Sequence, residues 1–281
     1  MFGKKPIRVG VLGLGIIGSR VAGHLRAAGF SVPVWNRTPK AEPNFLGSPA
    51  EVAQASDILQ IFVADPRAVF EVLDAIGDAL TPRHTVVCSS TIGRTAVLEA
   101  AQRVAARGAR FLDAPFTGTK GAADKAQLVY FIGGDDETFQ IAKPVLEASS
   151  KAIVKIGEIG QASLVKVVTN VLTAATIQTL AETLATVKAA GIDPAVMTAA
   201  LEHHGIRSSL IDLKLPKMLS GDYEPHFSLK HMLKDVQFGL DMGVELKLDL
   251  PVTETTARVM RIGMAQGEAD LDFSCVMKRY T

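Results

Sequence analysis

The sequence describes an α/β protein, a doubly wound parallel sheet followed by an all-α C-terminal domain. Three features predict this. Short β-branched runs alternate with amphipathic stretches as far as Gly157. Beyond that point, residues 161–190 contain neither proline nor glycine. The composition, 48% hydrophobic and 21% charged over 281 residues, is that of a folded chain with ample core.

The elements follow in order. Residues 7–12 read as a strand, and 16–28 as a helix closed by Gly29. Residues 32–35 form the next strand, with Trp35 in its core. A short helix at 50–55 opens on Ser48-Pro49, proline being preorganised for an early helical position. A strand at 58–63, a helix at 67–76, a strand at 85–88, a helix at 95–107 closed by Gly108 and a strand at 110–113 continue the alternation. Another strand at 128–133, a helix at 136–146 and a strand at 152–156 complete the first half. Strands separated by helical crossovers imply parallel pairing with helices on both faces.

The remainder is helical. A helix over 161–190 would run roughly 45 Å, with Leu164, Val165, Val168, Leu172, Ile177 and Leu184 spread over nearly all its sides. A helix apolar all round is expected to be buried. Turns are expected at Asp193-Pro194, Gly205, Leu215-Pro216, Gly221, Gly243 and Pro251, with Met197, Met218, Met232, Met242 and Met260 as core filler. The expected domains are residues 1–160 and 161–281.

Composition also excludes functions. Thirty basic against 29 acidic residues, a net charge of +1 and no basic block argue against nucleic acid or an anionic membrane as partner. The two cysteines, Cys88 and Cys275, lie far apart, which argues against a disulfide scaffold or zinc ribbon and fits the reducing cytoplasm. Lys4, Lys5 and Arg8 before an apolar stretch mimic a signal peptide, but Gly10, Gly13 and Gly15 interrupt the stretch and no clean cleavage site follows. No uninterrupted apolar run reaches the roughly 18 residues that cross a bilayer. No metal is expected. His203 and His204 are adjacent, so their imidazoles point apart on a helix, and His24, His84, His226 and His231 lack ligand spacing.

Between the first strand and the first helix stands Gly13-Leu14-Gly15-Ile16-Ile17-Gly18. The first glycine permits a tight turn, the second lets backbone approach a pyrophosphate, and the third lets helix pack on strand. The helix N-terminus then offers unpaired N–H groups to the anion. The motif alone also fits a glycine-rich turn, but its placement between strand and helix predicts a Rossmann-type dinucleotide site. The second strand ends in Asn36-Arg37-Thr38, with Lys40 nearby and no acid before Glu42. A carboxylate there would repel a 2′-phosphate, whereas a guanidinium grips it with paired charge-assisted hydrogen bonds. NADP(H) is therefore the expected cofactor, ahead of NAD, the alternative being that Arg37 is a solvated surface charge.

Three further stretches carry chemistry. Asp113-Ala114-Pro115-Phe116-Thr117-Gly118-Thr119-Lys120 lies at the carboxyl end of a strand, where ligands bind in such sheets. Its hydroxyls and glycine suit a carboxylate, although turn chemistry alone explains such a loop equally well. Lys166, Asn170 and Thr173 share one face of the long helix. Valines flank Lys166, and desolvation there would lower its pKa toward the range of proton transfer; the alternative is a lysine reaching out to the surface. The third stretch is Phe227-Ser228-Leu229-Lys230-His231-Met232-Leu233-Lys234-Asp235, by composition an amphipathic segment.

Together these residues resemble the β-hydroxyacid dehydrogenases, the family of 3-hydroxyisobutyrate dehydrogenase, 6-phosphogluconate dehydrogenase and the glyoxylate/succinic semialdehyde reductases. The family's Asp-Ala-Pro-Val-Ser-Gly-Gly loop is matched from Asp113 to Thr119. Its Gly-x-x-x-Lys-x-x-Asn-Asn motif is matched from Gly160 to Asn170, and its Lys-Asp pair by Lys234-Asp235. The resemblance implies that Lys166 is the acid/base and that Asn170 orients substrate. It implies substrate contacts from Thr117, Gly118, Thr119, Phe227 and Asp235, and places Val63, Thr91 and Lys234 beside the cofactor. Substrate is expected in a cleft between the domains, and a homodimer or homotetramer through the helical domain. Thr119-Lys120 is similar to the glyoxylate reductase branch rather than the sugar-acid enzymes. The chain departs from the pattern at Phe116, Thr117, Lys125 and Thr169, and in a shortened segment after Arg37. The implied activity is reduction of a small aldehyde or keto acid, or oxidation of the hydroxyacid. An imine reductase on the same fold and a non-catalytic NADP-binding module are the alternatives; relatives with either role commonly lack the lysine.

Overall fold

The structure, a computed structural model, describes residues 7–280; Lys4 and Lys5 lie outside them. The first unit, ending at Lys166, contains β1 (Val9–Leu12), α1 (Gly18–Ala27), β2 (Val34–Trp35), α2 (Pro49–Gln54), β3 (Ile58–Ile61), α3 (Pro66–Ile76), β4 (Thr85–Cys88), α4 (Arg94–Ala105) and β5 (Arg110–Asp113). It continues through β6 (Phe116–Thr117), α5 (Lys120–Asp124), β7 (Leu128–Gly133), α6 (Asp136–Glu147) and β8 (Ser150–Gly157).

Strand residues alternate between two apolar layers. Val9, Val11, Ile58, Val87 and Leu112 face one layer with α1 and α6, supplied by Val21, Leu25, Phe139 and Leu146. Leu12, Leu59, Ile61, Val86 and Phe111 face the other with α2, α3 and α4, supplied by Val52, Val69, Val72, Val97 and Val104. A sheet buried on both faces needs apolar residues at consecutive positions, which is why these strands read as continuous apolar runs.

The sheet is not wholly parallel, as the alternation had predicted. β2, β1, β3, β4 and β5 are parallel in that order. β7 then runs antiparallel to β5 and β6, through Asp113↔Gly133 and Thr117↔Val129, and β8 pairs parallel with β7. The reversal has a local cause: only the short α5 stands between β6 and β7, too little chain for a parallel crossover. The stretch expected as one irregular loop after Asp113 thus holds a short strand and a short helix. Strand and helix ends also move: residues 7, 32, 33, 62 and 63 fall outside the strands, and α1 begins at Gly18 rather than Ile16.

The second unit begins at Val167. Helix α7 (Gln161–Ala189) starts in the first unit and continues into the second, followed by α8 (Val196–Glu202), α9 (Ser209–Ser220), α10 (Leu229–Leu246), α11 (Pro251–Ala265) and a 3₁₀ segment at Phe273–Arg279. Ile177, Leu184, Ile211, Leu215, Met232, Val236, Met260 and Phe273 make its core. Two expected turns are absent. Pro216 lies inside α9, and Gly243 inside α10, where a Cβ would come within 2.8 Å of Leu250 Cδ1. Gly243 serves close packing rather than chain reversal.

Helix α7 corrects a second expectation. Val168 and Leu172 are 45% and 68% exposed, so the helix is not buried all round. Thr173, Thr176, Thr179, Thr183 and Thr186 donate their hydroxyls to the carbonyls four residues back, which removes a polar demand from the outer side. By length and mean hydropathy α7 is long and apolar enough to cross a membrane, although it holds no uninterrupted apolar run of that length; a core helix passes the same test.

Candidate active site

The carboxyl ends of β1, β3, β4 and β5 lie along one edge of the parallel sheet. β2 and β3 flank β1 on opposite sides, so the chain reverses direction across the sheet there, the place where open α/β sheets bind ligands. The glycine loop, Val63, Thr91 and the Thr117 loop all follow these strand ends.

The glycines have separable roles. Gly13 sits at φ +101°, its N–H donates to Trp35 O at 2.9 Å, and a Cβ would stand 2.2 Å from Phe62 O. A Cβ on Gly18 would stand 2.0 Å from Gly13 O, so α1 packs on the loop only as glycine. A Cβ on Gly15 would meet nothing within 4 Å. The protein itself does not need Gly15 bare; a pyrophosphate approaching the backbone does. The N-terminus of α1 carries no side-chain cap and no acid in its first turn, leaving amides for an anion. Ile16 is exposed and Ile17 half-buried beside it.

Asn36 ties the second strand end to this loop. Leu14 N donates to Asn36 Oδ1 at 2.9 Å, Asn36 Nδ2 donates to Thr38 O at 2.8 Å, and Lys40 Nζ donates to Leu14 O at 2.5 Å. Asn36 is therefore a brace, and Arg37 and Thr38 are exposed beyond it. Arg26 holds the shortened connector, donating to Glu42 Oε2 at 3.0 Å and Pro43 O at 2.9 Å. Val63 N donates to Ser90 Oγ at 2.8 Å, which binds the end of β3 to the Ser89-Ser90-Thr91 turn. These residues fit a dinucleotide: bare backbone at Gly15, uncapped helix amides at the start of α1, and an exposed Arg37 after β2.

Thr117 is paired in β6 with Val129, and Gly118 follows at φ +146°, where a Cβ would meet Leu128 Cδ2 at 2.8 Å. The Thr119 hydroxyl accepts from Ala122 N at 3.3 Å, capping α5. Helix α5 is held to α1 by His24 Nε2–H donating to Ala123 O at 2.8 Å and by the Arg20–Asp124 ion pair.

Lys166 is 7% exposed, not a lysine reaching to the surface. Within the second unit, Asn170 Nδ2 donates to Asp235 Oδ2 at 2.6 Å. A carboxylate only accepts, so Asp235 fixes the amide of Asn170 with Oδ1 turned away. Asp235 is 1% exposed, and its Oδ1 lies 3.1 Å from Lys234 Nζ without an aligned hydrogen bond. Lys234 also lies over the Phe238 ring at 5.1 Å. Phe227 stacks on His231 at 6.0 Å. Its backbone N–H donates to Asp272 Oδ2 at 3.2 Å, and Asp272 is itself gripped by Lys214 Nζ at 2.7 and 2.8 Å. Asn170, Lys234 and Asp235 thus form one cluster. Thr173, expected beside Asn170, bonds back to Thr169 O.

Sequence reasoning missed one residue's part. Asp113, at the head of the loop motif, has a wholly buried carboxylate that accepts from Gly160 N at 2.9 Å, Ser163 N at 3.0 Å and Ser163 Oγ at 2.7 Å. Burial pushes its carboxyl up to about 6, against the downward pull of the three hydrogen bonds. Only a contact across 47 to 50 residues reveals this, and no local pattern announces it. Among the described residues no group of three or more His, Cys, Asp or Glu side chains could hold a metal.

Residues 8–157 match the model of the NAD-binding domain of 6-phosphogluconate dehydrogenase, and residues 160–280 that of the NAD-binding domain of NADP-dependent 3-hydroxyisobutyrate dehydrogenase. The chain belongs to the β-hydroxyacid dehydrogenase family. Members of this family are NAD(P)-dependent oxidoreductases acting on CH–OH groups. Among β-hydroxyacid dehydrogenase relatives, glyoxylate/succinic semialdehyde reductase 2 of Arabidopsis thaliana is 29% identical, over 97% of this chain and 79% of that protein. The cytokine-like nuclear factor N-PAC of Mus musculus is also 29% identical, but the chain spans only 51% of its length. In fold, the 3-hydroxyisobutyrate dehydrogenase of Mycobacterium tuberculosis, solved with L-serine, matches with a TM-score of 0.89 over 98% of this chain and 99% of its own, at 24% identity.

Proposed function

We propose that the protein is an NADPH-dependent reductase of a small aldehyde or keto acid of the glyoxylate or succinic semialdehyde type, reversible as a hydroxyacid dehydrogenase. The burial of Lys166 carries this reading, because an ammonium withdrawn from water is suited to meet charge developing on a substrate oxygen. A bound nicotinamide dinucleotide supplies the hydride. The residues do the rest. Lys166 stabilises the oxygen of the carbonyl being reduced and then donates its proton to it. Asn170, its amide fixed by Asp235, accepts from the hydroxyl being formed. Thr117 and Gly118 hold the substrate carboxylate with Thr119 beside them, Thr91 and Val63 border the nicotinamide, and the family resemblance gives Phe227 a substrate contact and Lys234 a cofactor contact. The match to an NADP-dependent family model and the names of the reductase relatives support the choice of cofactor and substrate.

Initial rates with glyoxylate, succinic semialdehyde, methylmalonate semialdehyde and tartronate semialdehyde, each with NADPH and NADH, test the reading. Tight NADPH binding without turnover of any of them would overturn it in favour of a non-catalytic module, and turnover of cyclic imines alone in favour of an imine reductase. Replacing Arg37 by Ser should raise the NADPH dissociation constant roughly 10-fold to 100-fold, the 1.5–3 kcal/mol of a charge-assisted hydrogen bond, and change that of NADH by less than about threefold. Equal losses for both cofactors would remove Arg37 from the 2′-phosphate.

The same proposal includes a homodimer or homotetramer. Val168 and Leu172 leave an apolar stripe on α7 that a second copy would cover. Light scattering at micromolar concentration should give twice or four times the mass of one chain; a monomer would contradict this.

A further inference from the structure

We propose that Asp113 is a positioning residue, locking the helix that carries Lys166 to the strand that runs into the Thr117–Gly118 loop. The inference rests on Lys166 acting as proposed above. Asp113 closes β5, and Thr117 follows four residues later, held in β6 by its pairing with Val129. On the other side, both carboxylate oxygens are spent on the N-terminal end of α7: Oδ2 accepts from the amides of Gly160, just before the helix, and Ser163, and Oδ1 from the Ser163 hydroxyl. Lys166 is the third residue after Ser163, one helical turn on. A single side chain therefore connects the two parts that must address the same substrate.

Stability alone does not call for this arrangement. Helices α2, α3, α5, α6 and α9 are each capped by the residue just before them: Ser48, Asp65, Thr119, Asp135 and Ser208. Such a local cap satisfies the amides at the surface without desolvating a charge. Helix α7 instead draws its cap from 47 residues away in the chain, with a carboxylate removed from water altogether. Burying that group is costly, and its gain is a long-range constraint that no local cap supplies. The constraint matters because a misplacement of about 1 Å at a reacting group lowers rates by roughly 10²-fold.

Geometry rather than charge is what the lock requires, which sets the test. In the full-length protein, Asp113→Ala should lower kcat for aldehyde reduction by about 10²-fold, and Ser163→Ala by about 10-fold, with the NADPH dissociation constant within about twofold of the original. Asp113→Asn should restore kcat to within about fivefold, since its oxygen accepts from both amides while its NH₂ donates to the Ser163 hydroxyl. If Asp113→Ala does not fold, Ser163→Ala and Asp113→Asn still decide. Unchanged kcat in Ser163→Ala, or a loss in Asp113→Asn as large as in Asp113→Ala, would overturn the proposal. So would losses that run in step with NADPH binding, which signal general damage. Turnover surviving Lys166→Met would instead remove the functional reading on which the lock rests, so the two failures are distinct.

Discussion

Lys166→Met should lower kcat for aldehyde reduction by ~10²–10⁴-fold, the contribution of a positioned general acid, while the NADPH dissociation constant stays nearly constant. Methionine keeps the length and the apolar stem of lysine and removes only the ammonium. The site holding Lys166 leaves it 7% exposed, so replacement creates no cavity and removes no exposed charge. The cofactor residues stand on different elements, the glycine loop after β1 and Asn36 after β2, and are braced to each other by Leu14 N and Asn36 Oδ1 rather than through α7. Binding and turnover should therefore separate. Pre-steady-state reduction followed at the nicotinamide absorbance, with NADPH affinity from its fluorescence, reads both. Retained turnover would end the assignment of Lys166 as acid.

Two substitutions in the glycine loop should separate fold from cofactor. Gly18→Ala would set a methyl 2.0 Å from the Gly13 carbonyl, a backbone atom with nowhere to move. The expected loss is about 3 kcal/mol or more of stability, at or above the upper range for overpacking. Gly15→Ala meets nothing within 4 Å in the protein and should change stability by less than about 0.5 kcal/mol. Its methyl would occupy the space a pyrophosphate needs, so NADPH should bind about 10-fold to 100-fold more weakly, the 1–3 kcal/mol of an added methyl in a close contact. Chemical denaturation and NADPH titration of the two variants check the contrast. A Gly15→Ala protein that binds NADPH normally would place the pyrophosphate elsewhere.

The sheet and the cofactor loop were readable from residue order because their causes are local. Alternating apolar layers, Gly13, Gly15 and Gly18 between strand and helix, and the absence of an acid beside Arg37 are all properties of neighbours in the chain. The helical face carrying Lys166 and Asn170 was readable for the same reason, since i and i+4 positions coincide on any α-helix. Antiparallel pairing of β7 was not, because the two-residue β6 and five-residue α5 that reverse the chain are too short to show a periodicity and read as one loop. Nor were the continuity of α9 through Pro216 and of α10 through Gly243, where the helix persists against the local turn preference and Gly243 packs closely on Leu248 and Leu250.

The order of residues alone determined the α/β architecture, the dinucleotide loop and the family. Folding in three dimensions decided which polar groups hold one another. Asp113 meets Ser163, and Asn170 meets Asp235, across 50 and 65 positions. Periodicity records only which side of its own element a residue occupies. Hydrogen-bond partners are set by which elements pack together, and that depends on the whole core.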